Sequence, residues 1–375
     1  MNSFAIYRLP HATSCTLIEQ TKGQPEELQS CAELNGREGF VVAPFQITTA
    51  TPLLLIRPDR MESLSLEDQE VTSRGMSHSD SKNEDLYEKE RRQYGATFAR
   101  FHAELASHST YSQSAATNHY QKLVLSRCFP IENNGSTPPM QLFFRACKLY
   151  PRLFISLVST PQSGTWLAAT PEILLEGQAD QWRTIALAGT MKLEGESLNG
   201  EGESITWSTK NIQEQRYVAT YLAEQLKPFV SQLEETGPRT VRAANLVHLR
   251  SDFTFTLYNN TRVGDLLQAL HPTPAVCGLP KQQAFDFILR NEHTPRLYYS
   301  GFMGPLSVEH ADSSLFTLHS SLKSTHLYVS LRCMQICQHE YRLYAGGGLL
   351  KDSQEEQEWQ ETEAKMETMR QLITN

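Results

Sequence analysis

The segment 358-EWQETEAK-365 sets three charged side chains on one helical face: Glu358, Glu361 and Lys365 fall at i, i+3 and i+7. Met369 and Leu372 continue that stripe at i+11 and i+14, so the charges share a face with apolar residues. Read alone, the segment is still an ordinary solvated face, with Glu361 and Lys365 an i,i+4 pair worth tenths of a kcal/mol. An upstream helix adds a third acid, because Glu214 shares a face with Val218 and Tyr221 and so turns inward. Three carboxylates meeting in one place repel each other unless a cation sits among them. Oxygen-only ligands, without His or Cys, favour Mg2+.

Other residues read two ways. Lys122, between Gln121 and 123-LVL-125, is an outward lysine or an inward one; burial would drive an inward lysine toward the neutral form of a general base. Glu172 in 170-TPEILLEG-177 caps a turn or sits in a pocket as a protonated acid. The stretch 186-ALAGTMK-192 is a turn, or Gly189 brings backbone to a ligand and Thr190 offers a hydroxyl. His248 is a core histidine or a site residue. Arg332, inside the β-run 329-VSLRCM-334, calls for an anionic partner such as a carboxylate. The triplet 346-GGG-348 has the composition to cradle an anion with backbone N–H groups.

The elements that must position these residues follow from periodicity. Apolar runs at 39–45 and 51–57 read as strands. A core-poor stretch from Pro58 to Tyr94 includes a mobile loop near 58–82 and leads into a helix over Asn83–Ala106. Strands follow at 120–129, 153–160, 165–169, 173–177 and 182–188, with a helix over 141–151 ended by proline. A long helix is expected over Thr206–Gln232 and another over Ala284–Asn291, before strands at 298–307, 325–337 and 341–350 and the closing helix. Strand runs broken by helices without regular alternation predict an α+β fold with antiparallel sheets.

The 375 residues suffice for one large domain or two smaller ones, and they are 39% hydrophobic and 20% charged. A net charge of -8 argues against a nucleic-acid partner, and no apolar run approaches membrane-spanning length. The start, MNSFAIYRLPHAT, lacks the layout of a secretion signal, and seven scattered cysteines without a C-x-x-C pair suit a reduced, cytoplasmic protein. Mild charge and the lack of a heptad pattern make a monomer the expected state.

The order of the motifs narrows the reading. QKLVLSR, TPEILLEG, ALAGT, LVHL, 271-HPTPAVCGLP-280, SGFMG, VSLR, LYAGGG and EWQETEAK together resemble the chorismate-binding enzyme family, and within it the isochorismate synthases. The resemblance runs from about Tyr120 to Leu372, roughly two-thirds of the chain. It implies one large α+β domain, its antiparallel sheets packed as a β-sandwich with helices outside. Residues 1–115 would be the N-terminal part of that fold and 116–375 the chorismate-binding catalytic region. The implied substrate is chorismate and the implied cofactor Mg2+, bridging enzyme and substrate carboxylates.

Residue by residue, the resemblance matches Lys122 to the lysine that activates water for attack at C2 and Glu172 to the acid that protonates the departing 4-hydroxyl. Glu214, Glu358 and Glu361 match the metal-binding acids. Gly189, Thr190, His248, Arg332, Tyr344, Gly347 and Lys365 match substrate-lining positions, with Arg332 gripping a carboxylate. Adding water and expelling hydroxyl needs a base and an acid of separated pKa values.

Two positions separate the branches of the family. Ala188 stands where the aminodeoxychorismate branch carries a nucleophilic lysine, and Lys122 where the anthranilate branch carries glutamine. Salicylate synthases, which go on to eliminate pyruvate, keep the same acid and base and are the alternative. Where the family reads K-D-x-x-E-H, this chain has 210-KNIQEQ-215, and Met191-Lys192 replaces an arginine-containing continuation. Asn211 and Gln215 therefore alter the support around Glu214 and raise a third possibility, a catalytically silent chorismate-binding protein. The expected product use is menaquinone synthesis, with siderophore synthesis as the other.

Overall fold

Alternating apolar runs pair into two antiparallel sheets, described by a computed structural model over residues 3–68, 80–106, 120–135, 137–192, 205–243, 246–309 and 323–374. One sheet runs, in spatial order, β14 (Gly278–Leu279), β7 (Lys122–Glu132), β19 (Glu340–Leu349), β18 (Cys333–Ile336), β9 (Gly164–Thr170), β8 (Phe154–Thr160), β1 (Ser3–Arg8), β2 (Ser14–Gln20) and β6 (Arg60–Ser65). The second runs β12 (Val230–Ala243), β13 (Leu246–Leu257), β11 (Gln181–Lys192), β10 (Ile173–Gln178), β17 (Lys323–Val329), β15 (Phe302–Leu306), β4 (Gly39–Ala43), β5 (Leu53–Ile56) and β3 (Glu26–Leu28). A short β16 (Val308–Glu309) pairs with β17. N-terminal strands are woven into both sheets: β1 pairs with β8 and β4 with β15.

The sheets face each other across an apolar interior. Tyr7, Phe154 and Trp166 of the first sheet share one buried cluster with Phe40, Met303 and Tyr328 of the second. Phe154 and Tyr328 stack with ring centroids 4.3 Å apart. Helices cover the outer faces. α2 (Pro139–Leu149) and α6 (Glu355–Thr374) bury their apolar stripes on the first sheet. α3 (Thr209–Leu226) and α4 (Val263–Leu270) do the same on the second. α1 (Asp80–Ala106) and α5 (Lys281–Asn291) pack with Leu123, Leu125 and Trp359. The predicted α+β sandwich with outer helices is thus the observed fold. No helix among the described residues is long and apolar enough to cross a membrane. All seven cysteines are unpaired.

Several boundaries differ from those expected, each for a physical reason. The helix expected over Thr206–Gln232 begins after Ser208, whose Oγ accepts the Asn211 N–H, and ends at Leu226, two residues before Pro228. Residues 230–243 form β12 instead, an edge strand exposed along most of its length. The expected strand 325–337 is two strands in different sheets, broken at Ser330–Arg332 where Arg332 takes φ +46°. The segment near 58–82 contains the edge strand β6, and residues 69–79 lie outside the described residues. The strand expected over 298–307 begins only at Phe302.

α6 is held onto the sheet by Trp359, fully buried beneath the Arg127 guanidinium at 3.7 Å and edge-on to Tyr87 and Tyr94. Arg127 also reaches Thr362 Oγ1 at 2.7 Å and the Glu363 carboxylate on the same helix. Trp359→Ala should therefore lose about 3–5 kcal/mol of unfolding free energy in a urea titration. A loss below about 1 kcal/mol would mean that α6 is anchored elsewhere.

Candidate active site

The site lies where both sheets present their ends to α3 and α6. Its floor is the triple glycine of β19, paired with β7 so that Gly346, Gly347 and Gly348 face Ser126, Leu125 and Val124 in register. The glycines act through missing side chains. A Cβ on Gly348 would meet Glu214 Oε1 at 2.1 Å and Lys122 Cε at 2.7 Å. One on Gly347 would lie 3.2 Å from Glu358 Oε2 and 3.7 Å from Glu361 Oε1. The glycines clear the space that three carboxylates occupy.

Each carboxylate is matched by a lysine. Lys122, at 0% exposure, holds its Nζ 3.0 Å from Glu214 Oε1, an ion pair whose angles fall outside hydrogen-bond geometry. Lys365 Nζ donates to Glu361 Oε1 at 2.6 Å and to the Gly346 carbonyl at 2.8 Å, so the i,i+4 pair is real but lines a cavity rather than the outer surface. Lys210, one turn before Glu214 on α3, donates to Glu358 Oε1. Burial pushes the Glu214 carboxyl up, but the charges of Lys122 and Lys210 outweigh it and hold Glu214 below the ordinary range. Glu358 goes the other way, raised to about 7 by burial and then by the neighbouring Glu361 charge.

The opposite wall comes from two corners where the chain changes sheets. Glu172 lies between β9 and β10, and Arg332 between β17 and β18. The corners are tied together: Val329 N–H donates to the Glu172 carbonyl at 2.9 Å, and Ala169 N–H to the Arg332 carbonyl at 3.1 Å. Glu172 is buried, and that burial raises its carboxyl to about 7 against the opposing pull of Lys122, Lys365 and Arg332. Arg332 is lowered to about 10 by burial, with Glu172 the largest opposing charge. Its Nη2 donates to His248 Nε2, which leaves the imidazole proton on Nδ1, 3.2 Å from Thr190 Oγ1. Burial and the adjacent Arg332 hold His248 well below its usual pKa, so the ring is neutral.

Thr190 reaches His248 because β11 bulges at Gly189, whose φ is +72°. A side chain there would also press on the Asn211 backbone at 3.1 Å, so glycine lets β11 touch the start of α3. Gln215 docks α3 onto the second sheet, donating to Ser251 Oγ at 3.1 Å and to the Ala186 carbonyl at 3.3 Å, while the Asn211 N–H donates to the capping Ser208 Oγ.

One cavity gathers most of the expected residues. Glu172, Gly189, Thr190, Glu214, His248, Arg332, Glu361 and Lys365 line it, together with Ala188. Lys122, Gly347 and Glu358 stand directly behind this wall, joined to it through Glu214, Gly348 and Glu361. Tyr344 is outside it, turned into the sandwich interior against Trp166 and stacked on Tyr299 at 5.5 Å; Tyr299 is the tyrosine that lines the cavity. Lys210 had no expected role, although its place one turn before Glu214 was a signal that the two share a helix face.

An oxygen-coordinated divalent cation fits the acids. Glu358 is 1% exposed and its Oε2 has no hydrogen-bond partner, a buried oxygen aimed at the Gly347 gap beside Glu361. Among the described residues no three acids, histidines or cysteines converge at ligating distance, and the lysines supply the counter-charge instead.

A family model described as chorismate binding enzyme matches residues 48–374. The isochorismate synthase EntC of Escherichia coli strain K12 is 27% identical over 321 residues, covering 85% of this chain and 77% of EntC. The isochorismate synthase MenF of the same strain is 28% identical over 264 residues, 70% of this chain and 58% of MenF. The solved structure of MenF, described as the menaquinone-specific isochorismate synthase from Escherichia coli, has the same fold, with a TM-score of 0.74 at 20% identity over 100% of this chain and 89% of that one.

The glycine floor makes a direct prediction. Gly348→Ala should lower turnover by about 100-fold, because displacing Glu214 and Lys122 by about 1 Å spoils their aim. The melting temperature should move only a few degrees; full activity in a folded variant would show that neither residue needs its observed place.

Proposed function

This chain belongs to the chorismate-binding enzyme family, and from that premise we propose that it is an isochorismate synthase, adding water at C2 of chorismate and expelling the 4-hydroxyl. The observation that carries the reading is a buried lysine on β7 and, at the corner between the two sheets, a buried carboxyl raised to about 7, Lys122 and Glu172, set about one cavity. Lys122 acts as the free amine, having given its proton up before the step, and takes a proton from water as the water oxygen bonds to C2. Both ring double bonds shift by one position, from C1=C2 to C1=C6 and from C5=C6 to C4=C5, the C4–O bond breaks, and Glu172 protonates the departing oxygen to release water. One water enters and one leaves, so the reaction is an isomerisation.

The rest of the site suits a dicarboxylate. Arg332 and Lys365 provide cations to substrate carboxylates, His248 fixes the guanidinium, and Gly189 and Thr190 line the ring's place. Glu214, Glu358 and Glu361 would hold Mg2+, which supplies positive charge against a substrate carboxylate. Ala188 offers no amine to attack the ring, in keeping with water as the nucleophile. We place the enzyme in the cytoplasm as a monomer, its product feeding menaquinone synthesis. A strain lacking the chain should then lose menaquinone; normal menaquinone together with loss of a siderophore would move the product to the other use.

Purified protein given chorismate and Mg2+ should form isochorismate without prompt pyruvate. Enzymatic salicylate and pyruvate would replace the reading with a salicylate synthase, and binding without turnover with a silent binding protein. Lys122→Ala should keep chorismate binding and lose turnover by at least about 100-fold. A general acid must carry its proton, and Glu172 titrates at about 7, so kcat should fall as pH rises above that value, by about tenfold per unit. A kcat that stays flat from pH 7 to 9, or near-normal turnover in Glu172→Gln, would remove Glu172 as the acid.

A further inference from the structure

Lys210 has no part in the reaction as proposed, yet it is the counter-charge of the most deeply buried acid in the site. Its ammonium donates to Glu358 Oε1, and the other oxygen of that carboxylate is unpartnered beside Gly347. Its charge is also felt by Glu214 and Glu361, so one ammonium acts on the same three acids that a divalent cation would bind. The three lysines differ in how they are held. Lys122 is completely enclosed, and Lys365 is fastened to the Gly346 carbonyl as well as to Glu361. Lys210 sits near the start of α3 with 21% of its side chain exposed, on a flexible stem with solvent at hand.

We infer that Lys210 is a displaceable counter-ion: its ammonium holds Glu358 while no divalent cation is bound, and it must swing toward solvent for the cation to take that carboxylate. The physical basis is that a carboxylate this buried cannot stand uncompensated, and a divalent cation arriving at its open Oε2 beside Gly347 would repel the ammonium on Oε1 across the same carboxyl group. Lys210 thereby sets how weakly the free protein holds metal. A substrate that brings its own carboxylates shifts the contest toward the cation, because the added negative charge favours the divalent ion over a single ammonium.

The inference rests on the assignment of Glu214, Glu358 and Glu361 to Mg2+, and its test uses binding rather than turnover. Mg2+ is titrated calorimetrically at pH 8 into the full-length protein without chorismate. Lys210→Met should bind at least about tenfold more tightly than the natural chain, since the competitor is gone. Lys210→Arg should bind several-fold more weakly, since a guanidinium grips a carboxylate with two N–H groups. Adding Glu361→Ala to Lys210→Met should abolish the gain and so locate it at this site. Affinity unchanged or weaker in folded Lys210→Met, or shifts of the same sign in both single variants, would overturn the proposal. Should Lys210→Met fail to fold, the arginine variant decides: unchanged or tighter binding overturns it. Mg2+-dependent turnover by the natural chain separates the two readings, because its persistence alongside a failed titration leaves the metal assignment standing and removes only the role of Lys210.

Discussion

Three carboxylates are held against the glycine run of one strand, and each of them is compensated by its own lysine. That pairing fixes the rest. β19 must be glycine at 347 and 348, α3 and α6 must dock close enough to deliver Glu214, Glu358 and Glu361, and three lysines must arrive from β7, α3 and α6. Removing one member of such a buried pair costs about 3–5 kcal/mol, whereas well-packed apolar residues in the same volume are often as stable or more so. Stability alone would not select this arrangement. A cluster of acids and lysines in a cavity is what chemistry on an anionic substrate requires, and the local rules of folding are commonly broken at such places.

The second constraint is the pair of sheet-changing corners. A strand that stays in one sheet presents alternate side chains to a face, but a corner presents a residue to the space between sheet ends. Glu172 and Arg332 each occupy such a corner, and two backbone hydrogen bonds join the corners into one unit. Arg332 sits at φ +46°, a conformation that a non-glycine residue keeps only when its surroundings impose it. The acid and the guanidinium are therefore positioned by the sandwich itself.

How much of this was legible in the sequence varies with the physics. The inward turn of Glu214, Glu358 and Glu361 was only hinted at by the helical stripe each shares with buried apolar residues, Val218 on α3 and Met369 and Leu372 on α6; the ordered family motifs were needed to set it above a solvated face. The packing of the sheets as a sandwich came from the family resemblance alone, whereas the antiparallel sheets were visible because strand runs lack regular alternation with helices. β12 was not, because an edge strand exposed along its length carries no apolar alternation, and it was absorbed into the preceding helix. Arg332 reads as lying within a strand because apolar residues recur on both sides of it through 325–337; nothing in that composition marks the residue at which the chain crosses between sheets. Tyr344 was assigned to the cavity by motif position, which fixes a place along a strand but not the face, and it points into the interior beneath Tyr299. Lys210 passed unnoticed because its partner lies 148 positions away on another helix.

The central claim is that solvent water, activated beside Lys122, becomes the new hydroxyl at C2 while Glu172 expels the old one from C4. Turnover of chorismate in 18O-enriched water, with the product examined by mass spectrometry, tests this directly. The account predicts isochorismate carrying one solvent-derived oxygen, located at C2. An unlabelled isochorismate would mean that the original hydroxyl migrates within the substrate, and would contradict the account.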